Sequence, residues 1–328
     1  MIEISIVVIC FNEVNNIRRC LESLLAQNYP VACCEIVVVD GGSRDGTPEV
    51  VAELAQRHDH VRLVTELRKG AAVARNTGME TARFPCVAFI DADCEAVPDW
   101  LLRLATYFQE YRARDAAVVA VGGGNIPPPD AADFVQAISI AMDTFVGSFN
   151  SAQGRLFQEP RDVPSLATLN VLYDKRALVA IGGFDVTLGS DAEDADINHR
   201  LGRAGHRMIY VPNLSVYHKL RATPLRWSRN MFRYGRGRAR LLKRHPEMWR
   251  VAYLLPLLFL GGMSTLLLAP LFPVFWLVAL YFPVLFILSG VLCRRHRRFD
   301  LWVHVFVVFL VQHFGYALGE VAGLLNPE

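Results

Sequence analysis

Apolar runs rich in valine and isoleucine alternate with amphipathic stretches through the first third of this chain. Each run is continuous rather than alternating with polar residues, as is typical of strands that are buried on both faces. The runs are also short enough to be strands rather than buried helices. They predict five strands, at Ile4–Ile9, Glu35–Val39, Val61–Thr65, Cys86–Ile90 and Ala117–Val121.

The segments between these runs have helical periodicity, and two of them carry a proline where a first helical turn tolerates it. They predict helices at Val14–Gln27, Pro48–Arg57, Gly70–Ala82 and Pro98–Arg112. Alternating strands and helices predict an α/β domain with a Rossmann-like, mostly parallel sheet that is covered on both faces. Such sheets bind ligands at the carboxyl ends of their strands.

The pattern becomes less regular after a glycine- and proline-rich stretch at 122–129. Asp133–Phe149 has the periodicity of an amphipathic helix, which either packs into a core or lies against a membrane surface. Residues 151–165 are predicted to form a mobile loop. Further strands are predicted at Ser165–Tyr173 and Met208–Val211, and further helices from Lys175 and over Asp194–Ala204.

Three apolar segments dominate the last quarter of the chain, at Val251–Leu268, Leu271–Leu292 and Leu301–Leu325. A run of about 20 apolar residues is long enough to cross a bilayer. Three crossings are therefore predicted, although the first segment contains Pro256 and two glycines and could instead re-enter the membrane. We expect a domain at 1–218, a basic juxtamembrane segment at 219–250 that completes the active site, and a transmembrane region at 251–328.

The net charge of +2 conceals a strong division. Eleven Lys/Arg residues stand between Lys219 and Arg250 against the single acid Glu247, and four arginines follow at 294–298. Basic residues beside apolar spans predict a position on the cytoplasmic side of the membrane. A nucleic-acid surface is disfavoured because no known nucleic-acid motif accompanies the charge. Seven cysteines without a CxxC pair indicate reduced thiols in a cytoplasmic domain rather than a zinc site or a disulfide framework.

The motif Asp91-Ala-Asp93 closes the fourth predicted strand. Alternate side chains of an extended strand share a face, so both carboxylates are expected to point into one cleft. Hard oxygen ligands beside a diphosphate suit Mg²⁺ or Mn²⁺. A polar strand end without a ligand is the simpler alternative.

Two glycine-containing motifs accompany these acids. Asp40 begins DGGSRDGT at the end of the second strand, where it either contacts a nucleobase or ribose or belongs to an ordinary turn before a helix capped by Thr47. Arg75 and Asn76 lie in GAAVARNTG, where small residues indicate close packing of the helix on the sheet and Arg75 is either functional or solvated. Glu193 and Asp194 open a later helix, where Asp196 and Arg200 are expected to form an i, i+4 pair.

Taken together, the ordered set CFNE (10–13), VVDGGSRDGT (38–47), GAAVARNTG (70–78), IDAD (90–93), GGFD (182–185) and EDADINHRLGRAG (193–205) resembles glycosyltransferase family 2. The longer stretch RNMFRYGRGRARLLKRHP, followed by apolar segments, is similar to a membrane-bound branch that includes succinoglycan-type exopolysaccharide glucosyltransferases. The resemblance implies a GT-A fold, a nucleotide-sugar donor, a divalent cation (Mg²⁺ or Mn²⁺) and inversion at the anomeric carbon.

The resemblance also implies roles for individual residues. Asp194, with Glu193 beside it, would be the general base, and Asp93 would hold the cation together with Asp91. Asp40 would contact the base and Asp91 the ribose or sugar. Arg233 and Tyr234 stand where many relatives carry Gln-x-x-Arg-Trp, so Arg233 could pair with a phosphate. The matching positions predict that the donor site is formed by Phe11, Glu13, Asp40, Ser43, Arg75, Asp91 and Arg233, and His218 is either a cation ligand or a packed histidine.

The acceptor follows from the chemistry of the base. A polyprenyl phosphate is already anionic, whereas a sugar hydroxyl must lose a proton, so a catalytic Asp194 favours a polyprenol-diphosphate-linked saccharide. A UDP-sugar donor is favoured by the resemblance alone. The alternatives are a polyprenyl-phosphate glycosyltransferase of the dolichol-phosphate-mannose type and a non-catalytic scaffold that binds nucleotide sugars. The expected location is the cytoplasmic membrane, crossed several times, with the catalytic domain in the cytoplasm.

Overall fold

The computed structural model describes residues 1–148, 151–152, 154–188, 191–220 and 223–325. The chain divides into two units. The first comprises Met1–Pro128 and Ser151–Lys219, and the second comprises Pro129–Asn150 and Leu220–Glu328. The predicted amphipathic helix near 133–149 therefore belongs to the second unit, whereas the sequence placed it inside the domain at 1–218.

Eleven strands lie in the described part of the first unit. They are β1 Ile4–Cys10, β2 Cys34–Asp40, β3 Val61–Thr65, β4 Cys86–Asp91, β5 Cys94–Glu95, β6 Val118–Gly122, β7 Asn125–Ile126, β8 Arg161–Asp162, β9 Val171–Asp174, β10 Arg207–Tyr210 and β11 Val216–His218. The main sheet has the order β3-β2-β1-β4-β9-β6-β10-β8, and a small sheet has the order β5-β11-β7. In the main sheet β9 and β8 are antiparallel to their neighbours, so the predicted mostly parallel sheet is confirmed.

Most of the helices were predicted close to where they lie, whereas the basic segment that forms α9 was not predicted as a helix. In chain order they are α1 Ile17–Leu25, α2 Thr47–Arg57, α3 Ala71–Thr81, α4 Trp100–Arg114, α5 Asp133–Met142, α6 Phe145–Ser148, α7 Lys175–Ala180, α8 Glu193–Arg203, α9 Pro224–Arg244, α10 Leu255–Thr265, α11 Tyr281–Arg295 and α12 Trp302–Leu325. Short 3₁₀ turns connect several of them.

Both faces of the main sheet are buried, which explains the continuous apolar runs. Ile4, Ile6 and Val8 of β1 enter one core, and Val7 enters the other. Alternate side chains of a strand point to opposite faces, so a strand that fills two cores has no polar positions in its middle. In α3, a Cβ on Gly78 would lie 2.3 Å from Val7, which confirms the predicted close packing of this helix on the sheet.

The start of α1 and the cap of α2 were predicted wrongly. Helix α1 begins at Ile17 rather than Val14, since the Glu13 carbonyl accepts from the N–H groups of Asn16 and Ile17 in a preceding turn. Helix α2 is preceded by Gly46 at φ 95° rather than capped by Thr47, whose buried hydroxyl accepts from the Glu13 N–H instead.

The strand predicted at Ser165–Tyr173 begins only at Val171. The preceding residue, Asn170, uses its side chain to bind the carbonyls of Gly124 and Leu214 and the indole of Trp100. The loop predicted at 151–165 contains the short strand β8, and residue 153 of that loop lies outside the described residues.

The predicted helix Asp133–Phe149 is divided into α5 and α6 by a break after Met142. The Thr144 hydroxyl accepts from the Gly147 N–H and so starts the second helix. Phe149, the last residue of the predicted helix, lies outside the described residues. Within the second unit, α5 enters a core with α9, α11 and α12, as the packing alternative predicted.

Three helical segments in the described part of the chain are long and apolar enough to cross a membrane: Val251–Leu268, Pro273–Arg295 and Phe299–Leu325. The basic segment before them forms α9. A Cβ on Gly319 of α12 would lie 2.0 Å from the Phe232 carbonyl oxygen of α9, and one on Gly235 of α9 would lie 2.1 Å from the Tyr316 carbonyl oxygen of α12. The two helices therefore touch backbone to backbone.

Candidate active site

Three strands bring polar residues to one edge of the main sheet. In the parallel register of the sheet Cys10 pairs with Asp40, and Ile9 pairs with Asp91. The ends of β1, β2 and β4 are therefore neighbours, as expected for a parallel sheet. Asp40 and Asp91, which the sequence analysis singled out, therefore lie at the ends of the two strands that flank β1.

Asp40 shapes the turn that follows β2. It is 2% exposed, and its Oδ2 accepts hydrogen bonds from the N–H groups of Gly42 and Ser43, both at 2.9 Å. The turn interpretation of this motif is thereby confirmed. These hydrogen bonds hold the Gly-Gly-Ser backbone in the turn. Contact of Asp40 with a nucleobase stays a prediction.

The segments after β1 and β2 are bonded to each other. Ser43 Oγ accepts from the Asn12 N–H at 2.7 Å, and Asn12 Oδ1 accepts from the Arg44 N–H at 3.0 Å. Asn12 has φ 55°, the left-handed region that asparagine tolerates. Glu13 accepts from the Asn16 side chain, and Phe11 presents a ring that is 58% exposed beside Gly41. Phe11, Glu13 and Ser43 thus belong to one structured rim.

The two acids of the Asp91-Ala-Asp93 motif do not share an extended strand, and the geometric reason given for their convergence was wrong. Strand β4 ends at Asp91, and Asp93 follows in a turn before β5. They remain close enough to interact, because the charge of Asp93 contributes to the raised pKa of Asp91. Burial is the largest cause of that raised pKa, and Arg75 opposes it.

His218 reaches Asp93 through the small sheet. Strand β11 pairs antiparallel with β5 so that His218 lies opposite Cys94, and His218 Nε2 is 3.4 Å from Asp93 Oδ2. Burial alone would lower the pKa of His218, but Asp93 more than offsets this and the pKa is raised. Burial likewise opposes ionisation of Asp93, yet His218 leaves its pKa lowered.

These side chains fit a divalent cation. Asp93, Cys94 and His218 each place one ligand atom within 4.8 Å of the others. Cys94 is fully buried, so the accessible donors are a carboxylate oxygen and an imidazole nitrogen. A carboxylate oxygen suits Mg²⁺ and Mn²⁺, and the phosphates of a donor would supply further oxygen ligands.

Arg75 is the centre of the acidic cluster. Only 4% of it is exposed, so the expectation that it might be solvated was wrong. Its Nη2 donates to Asp91 Oδ1 at 3.1 Å, and its Nη1 donates to Glu193 Oε1. Burial opposes its charge, but Asp91, Glu193 and then Asp194 overcome this and leave the pKa of Arg75 raised. One guanidinium therefore joins the IDAD motif to the start of α8.

The start of α8 is held in an uncommon backbone conformation. Ala192, which precedes Glu193, has φ 71° and ψ 18°. A non-glycine residue in this region costs roughly 1–2 kcal/mol and is frequent at functional sites. Asp194 is half-buried and accepts from the Ala195 N–H at 2.7 Å. The backbone conformation of Ala192 thus sets the direction in which the side chains of Glu193 and Asp194 project from the start of α8.

Polar contacts behind α8 were mostly missed by sequence reasoning. Asn76 donates to the Phe184 carbonyl and accepts from the Phe184 N–H, both at 2.8 Å, which clamps the GGFD motif. Arg200 forms the predicted pair with Asp196 at 2.7 Å and also donates to the carbonyl of Gly183. Asn76, next to Arg75, could be recognised in the sequence as a candidate for a polar contact. Its partner Phe184 could not, because it lies more than a hundred residues away in the sequence.

Arg233 and Tyr234 lie on α9, in the second unit. Both are exposed, and Tyr234 is 45% accessible. Contact of Arg233 with a donor phosphate stays a prediction.

Comparison with known proteins places this site in a family. The profile described as Glycosyl transferase family 2 matches residues 5–156, and the one described as Glycosyl transferase family group 2 matches residues 86–293. The chain therefore belongs to glycosyltransferase family 2. Its fold is of the GT-A type, as the resemblance predicted.

Curated relatives carry names of glycosyltransferases or of a glycan biosynthesis protein. The chain is 28% identical to the succinoglycan biosynthesis protein ExoA of Rhizobium meliloti over 77% of this chain and 74% of that protein. It is 21% identical, over 98% of both chains, to a Methanococcus voltae enzyme named as a dolichyl N-acetyl-α-D-glucosaminyl phosphate 3-β-D-2,3-diacetamido-2,3-dideoxy-β-D-glucuronosyltransferase. The match to the glycosyltransferase AglE of Haloferax volcanii, 37% identical, covers 30% of this chain and only 33% of AglE.

Solved structures show the same fold. The mannosyltransferase PcManGT of Pyrobaculum calidifontis, in complex with GDP-Man and Mn²⁺, superposes with a TM-score of 0.65 at 19% identity, over 95% of this chain and 87% of that one. GalNAc-T7 with UDP, GalNAc and Mn²⁺ superposes with a TM-score of 0.51 at 18% identity, over 72% of this chain and 47% of that one.

Proposed function

We propose that this glycosyltransferase is an inverting, cation-dependent enzyme that moves a sugar from a nucleotide-diphosphate donor, a UDP-sugar, to a hydroxyl of a polyprenol-diphosphate-linked saccharide. The observation that carries the proposal is the buried Arg75, which bonds to Asp91 at the end of β4 and to Glu193 at the start of α8. Residues from the donor motif and from the base motif are thereby held in one cluster.

Each acid has a separate task in this proposal. Asp194 accepts the proton of the acceptor hydroxyl as its oxygen bonds to the anomeric carbon and the bond from that carbon to the diphosphate breaks. General-base catalysis contributes about 10²–10⁴-fold. Glu193, with 7% of its surface exposed and bonded to Arg75, positions Asp194 rather than taking the proton.

The donor is held at the strand ends. Asp91, Asp93 and His218 would hold the donor's sugar or ribose and the divalent cation, which when bound neutralises charge on the departing diphosphate. Asp40 and Ser43 fix the turn beside the nucleotide, and the exposed ring of Phe11 offers an apolar surface for a base.

Relatives support a lipid-linked acceptor. The name of the Methanococcus voltae enzyme specifies a saccharide on a dolichyl phosphate carrier, and that of ExoA specifies polysaccharide biosynthesis. The apolar segments of the second unit would keep the enzyme at the cytoplasmic membrane, and the basic residues beside them favour a catalytic unit in the cytoplasm.

Labelled nucleotide sugars, incubated with membranes that contain the full chain, test the proposal. Transfer to a lipid-linked saccharide that needs Mg²⁺ or Mn²⁺ and disappears in Asp194→Asn is expected. Transfer to bare polyprenyl phosphate would instead assign the acceptor to the lipid carrier itself. If donor binds but no sugar is transferred to either lipid, the chain acts as a nucleotide-sugar-binding scaffold and the proposal is wrong.

A further inference from the structure

Helix α12 is accompanied along its length by helices from earlier in the chain. Its first half lies beside α5 and α6. Gln312 Nε2 donates to the Gly147 carbonyl at 2.9 Å, and His313 Nε2 is 3.1 Å from the Val146 carbonyl. Just before α12, Arg298 bonds to the side chain of Gln136 on α5. The contacts run in the same order along both segments, so α5–α6 is parallel to α12.

The second half of α12 lies beside α9 in the same direction. Cβ atoms on Gly315, Gly319 and Gly323 would meet, in turn, Ser228, Phe232 and Arg236 of α9 at 3.0 Å or less. Each step of four residues on α12 matches a step of four on α9. The buried Glu320 of α12 also interacts electrostatically with Arg238 of α9. Along this stretch, residues of α12 therefore lie beside residues of α9 at a constant offset in the sequence.

The charges of α9 decide where this pair can lie. Between Pro224 and Arg244 the helix carries eight Lys/Arg residues and no acid. Each arginine at the centre of a bilayer costs roughly 2.5–3.5 kcal/mol, and side chains can only partly reduce this by reaching for the surface. Helix α9 must therefore stay outside the hydrocarbon, and so must the half of α12 that touches its backbone.

The rest of α12 is too short to cross. From Trp302 to Phe314 it has about 13 residues, which span ~20 Å against a hydrocarbon core of about 30 Å.

The apolar hairpin is short as well. The Phe259 ring contacts the rings of Tyr281, at 5.0 Å between centroids, and His313, at 5.8 Å. The Tyr281 hydroxyl is 2.7 Å from His313 Nδ1. The chain thus leaves α12 at Phe259 and returns at Tyr281, which gives two legs of about 11 residues, or ~17–22 Å.

After Tyr281, helix α11 turns back along α12. Phe286 stacks on Trp302, with 4.5 Å between ring centroids. The segment between Phe259 and Tyr281 is therefore the part that projects from α12, and several of its leucines are strongly exposed, with Leu267 at 84% and Leu271 at 74%, whereas Ala269 is buried.

We propose that the second unit is a monotopic membrane anchor. The hairpin between Phe259 and Tyr281 enters and leaves the bilayer through one leaflet, while α9, α12 and α5–α6 lie at the surface of that leaflet. No described segment crosses, and the C-terminal end of α12 is on the same side of the bilayer as α9. This arrangement is an alternative to the three crossings that the sequence predicts and that length and composition allow, and it does not depend on the proposed reaction.

Topology mapping of the full chain in intact bacterial cells tests the proposal. Green fluorescent protein fused after Glu328 reports the side of the C-terminus, since it is fluorescent only in the cytoplasm. Leu271→Cys at the hairpin tip and Gln56→Cys on α2 are treated with a membrane-impermeant maleimide from outside, before and after lysis. The unsubstituted chain, with its seven cysteines, serves as the blank.

The expected result is a fluorescent fusion, no labelling of either cysteine from outside and labelling of Gln56→Cys only after lysis. A dark fusion with full-length protein present would mean an odd number of crossings and would overturn the proposal. A fluorescent fusion with Leu271→Cys labelled from outside would mean a two-span hairpin, which overturns it equally.

Discussion

The Arg75 guanidinium donates to Asp91, 16 residues away in the sequence, and to Glu193, 118 residues away, and Arg75 is 4% exposed. The buried Glu193 would not be stable as an anion alone, because an isolated charge loses hydration on burial. The cluster therefore has to be complete to be stable, and the geometry of the base motif depends on a residue of α3.

Replacing Arg75 with methionine is expected to destabilise the first unit by about 3–5 kcal/mol, because the buried carboxylate of Glu193 and the partly exposed one of Asp91 lose their partner. The double variant Arg75→Met/Glu193→Gln should recover part of the loss. Thermal unfolding of the detergent-solubilised chain measures both. Arg18→Met, which breaks an ion pair with Glu53 between side chains about 40% exposed, is the control and should change the melting temperature little. Equal effects of Arg75→Met and Arg18→Met would contradict this account.

Asp194→Asn and Glu193→Gln should have different effects on turnover and on thermal stability. Loss of the base lowers turnover by roughly 10²–10⁴-fold with the melting temperature and donor affinity nearly unchanged. Loss of Glu193 leaves Arg75 with one direct acidic partner fewer and should lower the melting temperature as well as turnover. Single-turnover transfer and thermal unfolding on the same preparations separate the two effects. Reversed behaviour would make Glu193 the base.

Cation binding should require both Asp93 and His218. Asp93→Asn and His218→Gln are each expected to weaken Mn²⁺ binding by at least about 10-fold, since even outer contacts of metal sites have effects of this size. Calorimetric titration of Mn²⁺ in the presence of UDP measures this without turnover. Asp115→Asn, which removes a partner of Arg207, is a matched control. Unchanged Mn²⁺ affinity in His218→Gln would leave that histidine as a packing residue.

The clamp of Asn76 on Phe184 should be visible as stability. Asn76→Ala leaves the N–H and the carbonyl of Phe184 without their partner and is expected to cost about 1–3 kcal/mol for each group that stays buried. Gln56→Ala on the exposed side of α2 is the control. Hydrogen exchange of the Phe184 amide gives a local readout, and protection equal to wild type would show that the clamp contributes nothing.

Two glycines of the second unit allow a matched comparison. A Cβ on Gly319 would lie 2.0 Å from the Phe232 carbonyl oxygen, whereas one on Gly261 would have nothing within 4 Å. Gly319→Ala should therefore separate α9 from α12 at a cost of about 1–3 kcal/mol, and Gly261→Ala should be neutral or slightly stabilising. Limited proteolysis at the basic residues of α9 measures the difference. Equal cleavage of the two variants would mean that the helices do not depend on this contact.

The longer strands and the helices of the first unit followed from periodicity, since burial on both sheet faces leaves an unmistakable apolar run at β1 and β4. The two- and three-residue strands β5, β7, β8 and β11 were not predicted, because they are too short to show a period. Strand β9 was harder, because Asn170 interrupts the apolar run to make buried polar contacts, and the antiparallel insertion of β9 leaves no local signal. The positions of Asp91 and Asp194 could be predicted from motifs. The connection between them through Arg75 could not be predicted, because the partners of Arg75 are set by the packing of α3 against α8.

The sequence also suggested three similar apolar tail segments, and length and composition support that. The three segments differ in the helices that they contact. Glycines at 315, 319 and 323 were visible as a small-residue stripe, but only the structure shows that a helix with eight positive charges lies against it.

Pairing of β5 with β11 also bears on how the protein is made. Asp93 leaves the ribosome long before His218, and the antiparallel contact that brings them together cannot form until the later strand has emerged. A nascent chain therefore has every acid of its IDAD motif but only half of the proposed cation site. Affinity for Mn²⁺ should appear abruptly late in synthesis, which makes the ion a reporter of the moment at which the first unit is fully assembled.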